Sequence, residues 1–240
     1  MIDGLLVALG FLTRIPVPGA LFARSGAQAR SLPWYPLVGA LIGVVLCALA
    51  WLLRDSAALL SAAILVVAWA ALTGGLHLDG LADSADAWVG GMGDRERTLA
   101  IMKDPRSGPA GVAALVGVLL LKFAALASLP APAWTALLLA PLLGRAALTA
   151  AFLCTPYVRA HGMGEGLAAA SRLACGLALL LSCVGAAGLG LRACWALLAA
   201  GAVFWLWRRA CLRRLGGMTG DTCGALAEAV EVTVLVVLAL

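Results

Sequence analysis

Apolar residues in this chain run in long blocks instead of alternating with polar ones. The blocks lie at about 35–53, 57–76, 110–129, 133–153, 173–190, 193–207 and 224–240. Each approaches the ~20 residues that a membrane-crossing helix requires, the sixth and seventh being short. A further apolar stretch, 3–14, is interrupted by Arg14 and then by Pro16 and Pro18. It is expected to lie in the membrane interface or to enter the membrane partway. No internal repeat is evident. The pattern predicts an all-α, polytopic helical bundle of about seven transmembrane helices, forming a single integral membrane domain over residues 1–240.

Composition narrows this further. The chain is 63% hydrophobic and 12% charged, with a mean hydropathy of +1.03, whereas soluble domains carry about 25% charged residues. One oversized soluble core is thereby excluded. No basic leader or cleavage site precedes a polar mature chain, so a secretory signal peptide is not expected. The seven cysteines form no Cys-x-x-Cys pair and read as small buried hydrophobes. Two histidines, His77 and His161, are too few for a histidine-rich metal site. Trp34, Trp51, Trp88, Trp134, Trp195 and Trp207 sit near span ends, as interfacial anchors do.

Basic residues set the orientation. Of the 17 lysines and arginines, all but Arg54, Arg192, Lys122 and Arg145 fall in segments 1–34, 77–109, 154–172 and 208–223. The positive-inside rule places those segments in the cytoplasm. Every acid-rich loop then falls on the same face. Lys122 reads as a snorkelling side chain.

Three polar constellations stand out. The first is His77-Leu78-Asp79-Gly80-Leu81-Ala82-Asp83-Ser84-Ala85-Asp86. If helicity continues past residue 76, Asp79, Asp83 and Asp86 share one face. Clustered carboxylates repel one another, and a bound hard cation such as Mg²⁺ removes the conflict. His77 is placed to orient a carboxylate or to touch a phosphate. The second runs from Gly90 to Arg97 and then through Ile101-Met102-Lys103-Asp104-Pro105-Arg106-Ser107-Gly108. Lys103 and Arg106 bring phosphate-binding charge next to the acids, although the order of a P-loop is absent. The third is Gly216-Gly217-Met218-Thr219-Gly220-Asp221 followed by Glu228 and Glu231. Asp221 can cap the last helix. Glu228 and Glu231 face into an apolar helix and require a metal, a basic residue or a polar substrate. Arg145, in mid-span, requires an anionic partner or ligand, and His161 and Glu165 lie in a glycine-rich loop on the same side.

Acids, bases and glycine turns on one face indicate metal-dependent chemistry on a phosphate or diphosphate. Together the motifs resemble the cobalamin synthase family, also called adenosylcobinamide-GDP ribazoletransferase. The matching segments are Leu9–Pro18, Tyr35–Gly39, Gly74–Asp86, Ile101–Gly108 and Gly216–Asp221 with Gly224, Ala225 and Glu228. The resemblance covers essentially the whole chain. It implies a multi-pass enzyme of the bacterial inner membrane, its active site facing the cytoplasm. Such an enzyme transfers the adenosylcobinamide-phosphate moiety from adenosylcobinamide-GDP to α-ribazole or α-ribazole 5′-phosphate, releasing GMP and requiring Mg²⁺. It implies Asp79, Asp83 and Asp86, with Glu228, as metal ligands, and His77, Lys103 and Arg106 as further catalytic residues. Arg14 and Asp104, within the matching segments, join Arg145, Asp221 and Glu231 as candidates for substrate or cofactor contact. Expected partners are the corrinoid nucleotide, the α-ribazole nucleotide or nucleoside and membrane lipids, with no nucleic acid. Homo-oligomerisation and association with other cobalamin-pathway enzymes stay open.

Two other classes share this physical logic. A CDP-alcohol phosphotransferase also sets aspartates on membrane helices, but its longer aspartate motif is absent here. A solute or ion transporter would concentrate its charges near the bilayer midplane, whereas most of these lie at one face.

Overall fold

The computed structural model describes residues 2–159, 162 and 164–240, with only the backbone of Glu165. His161 therefore lies outside the described residues. Ile2–Leu12 (α1) and Ala27–Ser31 (α2) precede Tyr35–Leu52 (α3). Then come Ala58–Thr73 (α4), Leu76–Gly90 (α5), Arg95–Ile101 (α6), Pro109–Ser128 (α7), Trp134–Cys154 (α8), Arg172–Ala187 (α9), Leu191–Leu215 (α10) and Gly220–Ala239 (α11). Among the described residues there is no β-strand; one parallel bridge joins Tyr157 to Met218.

Five stretches are long and apolar enough to cross a membrane: Ala27–Leu52, α7, α8, α10 and α11. The bent pair α4–α5 makes a sixth if taken as one broken span. α9 falls short of the expected 173–190 span. Its 16 residues reach about 24 Å at ~1.5 Å per residue, against a hydrocarbon core of ~30 Å. Connectivity nevertheless carries it across the bundle. Leu189, in the turn just past its far end, shares a cleft with the α7–α8 turn, Leu129–Ala136, and with Leu238 near the end of α11. α10 extends well past the expected end at 207, because its last turns carry Arg208, Arg209, Arg213 and Arg214 out of the apolar zone. Arg208 donates to the Cys154 carbonyl at 2.8 Å. Trp88 and Trp207, expected as separate anchors, stack on each other at 5.5 Å.

The expected 57–76 span is also divided. Gly74 and Gly75 both take left-handed φ, +65° and +70°, which L side chains rarely tolerate. They end α4 and turn the chain by 90° into α5. The acidic ladder therefore occupies a separate helix, set at a right angle to α4. The side chain of Arg14 fills the space that a Cβ at Gly74 would need. This pins the end of α1 to the same turn, where the Arg14 N–H also donates to the Leu72 carbonyl at 2.8 Å.

Small residues set the packing. Cβ atoms on Gly39 or Gly43 would run into the α8 backbone near Pro141 and Leu137. Pro141 has no N–H, so α8 loses one internal hydrogen bond beside this close approach. α11 is the central helix, buried along most of its length between α5, α7, α8 and α10. Outer faces carry exposed Leu59, Val67, Val116, Leu120, Leu198 and Leu206. Such a belt is stable only against lipid or another apolar surface.

Candidate active site

α5 and α11 cross where both carry glycine. A Cβ on Gly80 would lie 2.7 Å from the Asp221 carbonyl oxygen, and one on Gly224 only 3.2 Å from the His77 Cα. This backbone approach, available only to small residues, draws Asp79 and Asp83 of α5 alongside Asp221 of α11. A cavity of about 260 Å³ opens there. His77, Asp79 and Asp221 line its polar side, together with Arg159. Its apolar walls include Phe11, Tyr35, Phe152 and Tyr157. These rings stack in two pairs, Phe11 on Tyr35 at 6.2 Å and Phe152 on Tyr157 at 5.9 Å.

The head of α11 is capped by Thr219, not by Asp221 as the sequence suggested. Thr219 Oγ1 accepts from the Thr222 N–H at 3.2 Å, and Thr222 Oγ1 accepts from the Thr219 N–H at 2.8 Å. Asp221 is thereby released to bind Arg159 at 2.7 Å. The Tyr157–Met218 bridge sets this pair. The Val158 N–H donates to the Met218 carbonyl at 2.9 Å and the Met218 N–H to Pro156 at 2.8 Å. Asp83 sits half-buried among like charges. Burial and the nearby Asp79, Asp221 and Asp86 carboxylates push its pKa up to about 6, against a partial offset from Arg159.

Several expected residues lie elsewhere. Asp86 is on the ladder but turned to α7, accepting from the N–H groups of Gly108 and Gly111 at 2.7 and 2.8 Å. Both its oxygens thus cap the start of that helix. Arg106 pairs side by side with Asp104, at 2.7 and 3.0 Å. Its guanidinium holds the Asp104 carboxyl down at about 2. Lys103 is exposed, and neither it nor Arg106 lines the cavity. Arg14 is likewise exposed and sits on the Gly74 turn.

Glu228 and Glu231 find basic residues, not the cavity. Lys122 is 96% shielded and does not snorkel. It bonds Glu228 at 2.7 Å and Glu231 at 2.5 Å, with the Trp69 ring 4.4 Å away. Fully buried Arg145 pairs with Glu231 and reaches His77 Nδ1 at 3.2 Å. Arginine has no acceptor, so Nδ1 must supply the lone pair. What His77 has left to offer is an Nε2–H donor.

The donor set bears on a metal as follows. Among the described residues, no three carboxylate, histidine or cysteine groups are gathered closely enough to enclose an ion. With Asp86 and Glu228 engaged elsewhere, the expected four-carboxylate set is not assembled. Magnesium does not require such a cage, because it commonly takes one or two carboxylates and completes its shell with water and substrate phosphate. Asp79 and Asp83, crowded beside Asp221, fit that mode.

Sequence reasoning missed Arg159 and the aromatic walls. Arg159 was read only for orientation. The signal available was its place in a short loop, Pro156-Tyr157-Val158-Arg159, which runs on into Gly162, Gly164 and Gly166. Its partner on α11, 62 residues away, was not visible.

Comparison with known proteins decides the family. The model of the cobalamin-5-phosphate synthase family matches residues 4–239. The chain belongs to that family. It is similar to the adenosylcobinamide-GDP ribazoletransferase of Stutzerimonas stutzeri strain A1501, 57% identical, covering 98% of this chain and 97% of the relative. The proteins of the same name in Pseudomonas fluorescens Pf-5 and Pseudomonas aeruginosa PAO1 are each 53% identical, covering 98% of this chain and 98% and 97% of the relatives. No solved structure matches. The chain is accordingly a membrane-embedded enzyme of the cobalamin-5-phosphate synthase family, its polar residues divided between an open acidic rim and a buried ion cluster.

Proposed function

We propose that this enzyme joins adenosylcobinamide-GDP to α-ribazole or its 5′-phosphate and releases GMP, in a magnesium-dependent reaction on the cytoplasmic face of the bacterial inner membrane. The names of its relatives supply the substrate class. The location rests on the concentration of basic segments at the cavity end. One observation carries the site assignment: Asp79 and Asp221 line an aromatic-walled cavity together with Arg159, and Asp83 stands close enough to feel all three charges.

In this reading the ribose 3′-hydroxyl oxygen bonds to the cobinamide-linked phosphorus. The bond from that phosphorus to the GMP oxygen breaks, and GMP leaves with the electron pair. A rim carboxylate takes the hydroxyl proton. Asp79 and Asp83 would hold magnesium, whose contribution when bound is to neutralise charge on the diphosphate and the leaving group. Arg159, only partly engaged by Asp221, is positioned for a phosphate oxygen. His77 contributes a hydrogen-bond donor rather than a base, because Arg145 occupies its Nδ1. The Tyr and Phe walls accept the flat base of the ribazole. Positioning and electrostatics thus do most of the catalysis.

The test uses purified protein with adenosylcobinamide-GDP and α-ribazole 5′-phosphate, with and without Mg²⁺, measuring GMP and the corrinoid product. Stoichiometric, magnesium-dependent formation of both is expected. Equal turnover without divalent metal would remove the metal from the mechanism, and no product from folded protein would remove the reaction.

A further inference from the structure

A second, larger cavity lies away from the active site. It is a groove of about 970 Å³ between the α2–α3 stretch and α9, with Leu142 of α8 at its floor. Its lining is almost wholly apolar, and the flanking Leu177 and Leu181 are 51% and 71% exposed. On the α9 side it runs from Ala174 to Gly185, about 16 Å at ~1.5 Å per residue. That is half of a ~30 Å hydrocarbon core, the depth of one leaflet. Its end nearest the active site carries Arg30. Arg172, the first residue of α9, starts at the same end and is exposed. Among the described residues neither arginine has a carboxylate within ion-pair distance.

We infer that this groove binds one phospholipid with an anionic headgroup, from the leaflet on the basic side of the membrane. The acyl chain fills the apolar slot, and the phosphate meets Arg30 and Arg172. The depth, the lining, Arg30 on the groove wall and Arg172 at the start of the adjoining helix all select this ligand. A second copy of the chain would bring no reason for charge at that end alone. The groove also shares a wall with the active site. In the 3-10 turn Glu165–Ala169, Leu167 lines the site cavity and Ala169 lines the groove. A bound lipid therefore props the wall against which the acceptor rests. The inference depends on the membrane placement and not on the phosphotransfer reading, so its readout is lipid retention.

The test is native mass spectrometry of the full chain released from nanodiscs of roughly equal phosphatidylglycerol and phosphatidylcholine. One retained phosphatidylglycerol is expected, favoured about fivefold per arginine and so roughly 25-fold for the two. Arg30→Ala with Arg172→Ala should leave a lipid bound but abolish the preference. Ala178→Trp, which fills the slot, should abolish retention while gel filtration and circular dichroism stay unchanged. If that variant fails to fold, Ala174→Phe at the headgroup end provides the same test. Equal retention in a folded slot-filled variant, or no headgroup preference in the wild type, would overturn the inference. So would a dimer that Ala178→Trp dissolves, which would assign the groove to a second copy.

Discussion

α11 carries two acidic regions about two helical turns apart, and their surroundings make them opposites. At its head, Asp221 stands with Asp79 and Asp83, three carboxylates against the single guanidinium of Arg159. Seven residues deeper, Glu228 and Glu231 meet Lys122 and Arg145, two against two. The first group is open to the cavity and leaves negative charge unanswered. The second is sealed from solvent and already neutral. Charge balance within reach, more than the number of acids on a helix, decides which region can recruit a cation. Intramembrane charges ordinarily mark function. Here the deep set ties α4, α5, α7, α8 and α11 together around Trp69, His77, Lys122, Arg145 and the two glutamates, and among the described residues it meets the site cavity through His77.

The sharpest way to break this comparison is to unbalance the sealed region. Lys122→Met leaves a buried carboxylate uncompensated, which costs about 3–5 kcal/mol. Thermal unfolding in detergent should show a large loss of stability. The double variant Lys122→Met with Glu228→Gln removes one charge of each sign and should recover most of it. If the single variant is as stable as the wild type, the cluster is not a structural ion set.

The open region should respond in the other currency, turnover. Asp79→Asn or Asp83→Asn removes charge where a cation and a transferring phosphoryl group are to be held. A loss on the order of 10²–10³-fold in kcat is expected, with a raised magnesium requirement and an unchanged melting temperature. Wild-type turnover from Asp83→Asn would sink the proposed metal role.

The two regions also differ in how far they could be read from the sequence. Helical class, one-sided basic charge and the ladder were legible, because hydropathy blocks and i, i+4 spacing are local signals. The need of Glu228 and Glu231 for partners was legible too, since buried charge is costly anywhere. Which partner each would meet was not. Lys122 lies 109 residues from Glu231 in the chain, and helix rotation decides whether such a side chain snorkels or turns inward. Gly74 and Gly75 were visible as glycines. Their left-handed pair, and hence the right-angle turn that sets the ladder across α4, comes with the docking of Arg14 and α1 on that turn. The aromatic walls come from α1, α3, α8 and a loop, and no local periodicity joins those segments.

Asp86 sharpens the comparison inside the ladder itself. It has the spacing of a ligand, yet its oxygens are taken by two N–H groups of the α7 start. Asp86→Ala should therefore behave like loss of a helix cap, about 1 kcal/mol of stability, with a smaller fall in turnover than either Asp79→Asn or Asp83→Asn. The apparent magnesium affinity is the discriminating measurement. It should stay near wild type in Asp86→Ala and fall in the other two. An equal fall in all three would return Asp86 to the metal.

The smallest effect is expected at Lys103 and Arg106, which the sequence placed beside the substrate phosphates. Arg106 is exposed and engaged by Asp104, and solvent-screened pairs of this kind contribute little. Lys103 faces solvent. If the loop stays where it is when substrate binds, Lys103→Ala and Arg106→Ala should change kcat/KM by no more than about fivefold, with the difference shrinking as salt screens long-range attraction. Arg159→Ala, at the rim itself, should cost much more under the same assay. A Lys103 or Arg106 variant as damaged as Arg159→Ala, at high salt as well as low, would mean that the loop closes over the diphosphate during turnover. The acidic rim would then acquire the cations it lacks at rest, and the contrast between open and sealed regions would describe only the resting enzyme.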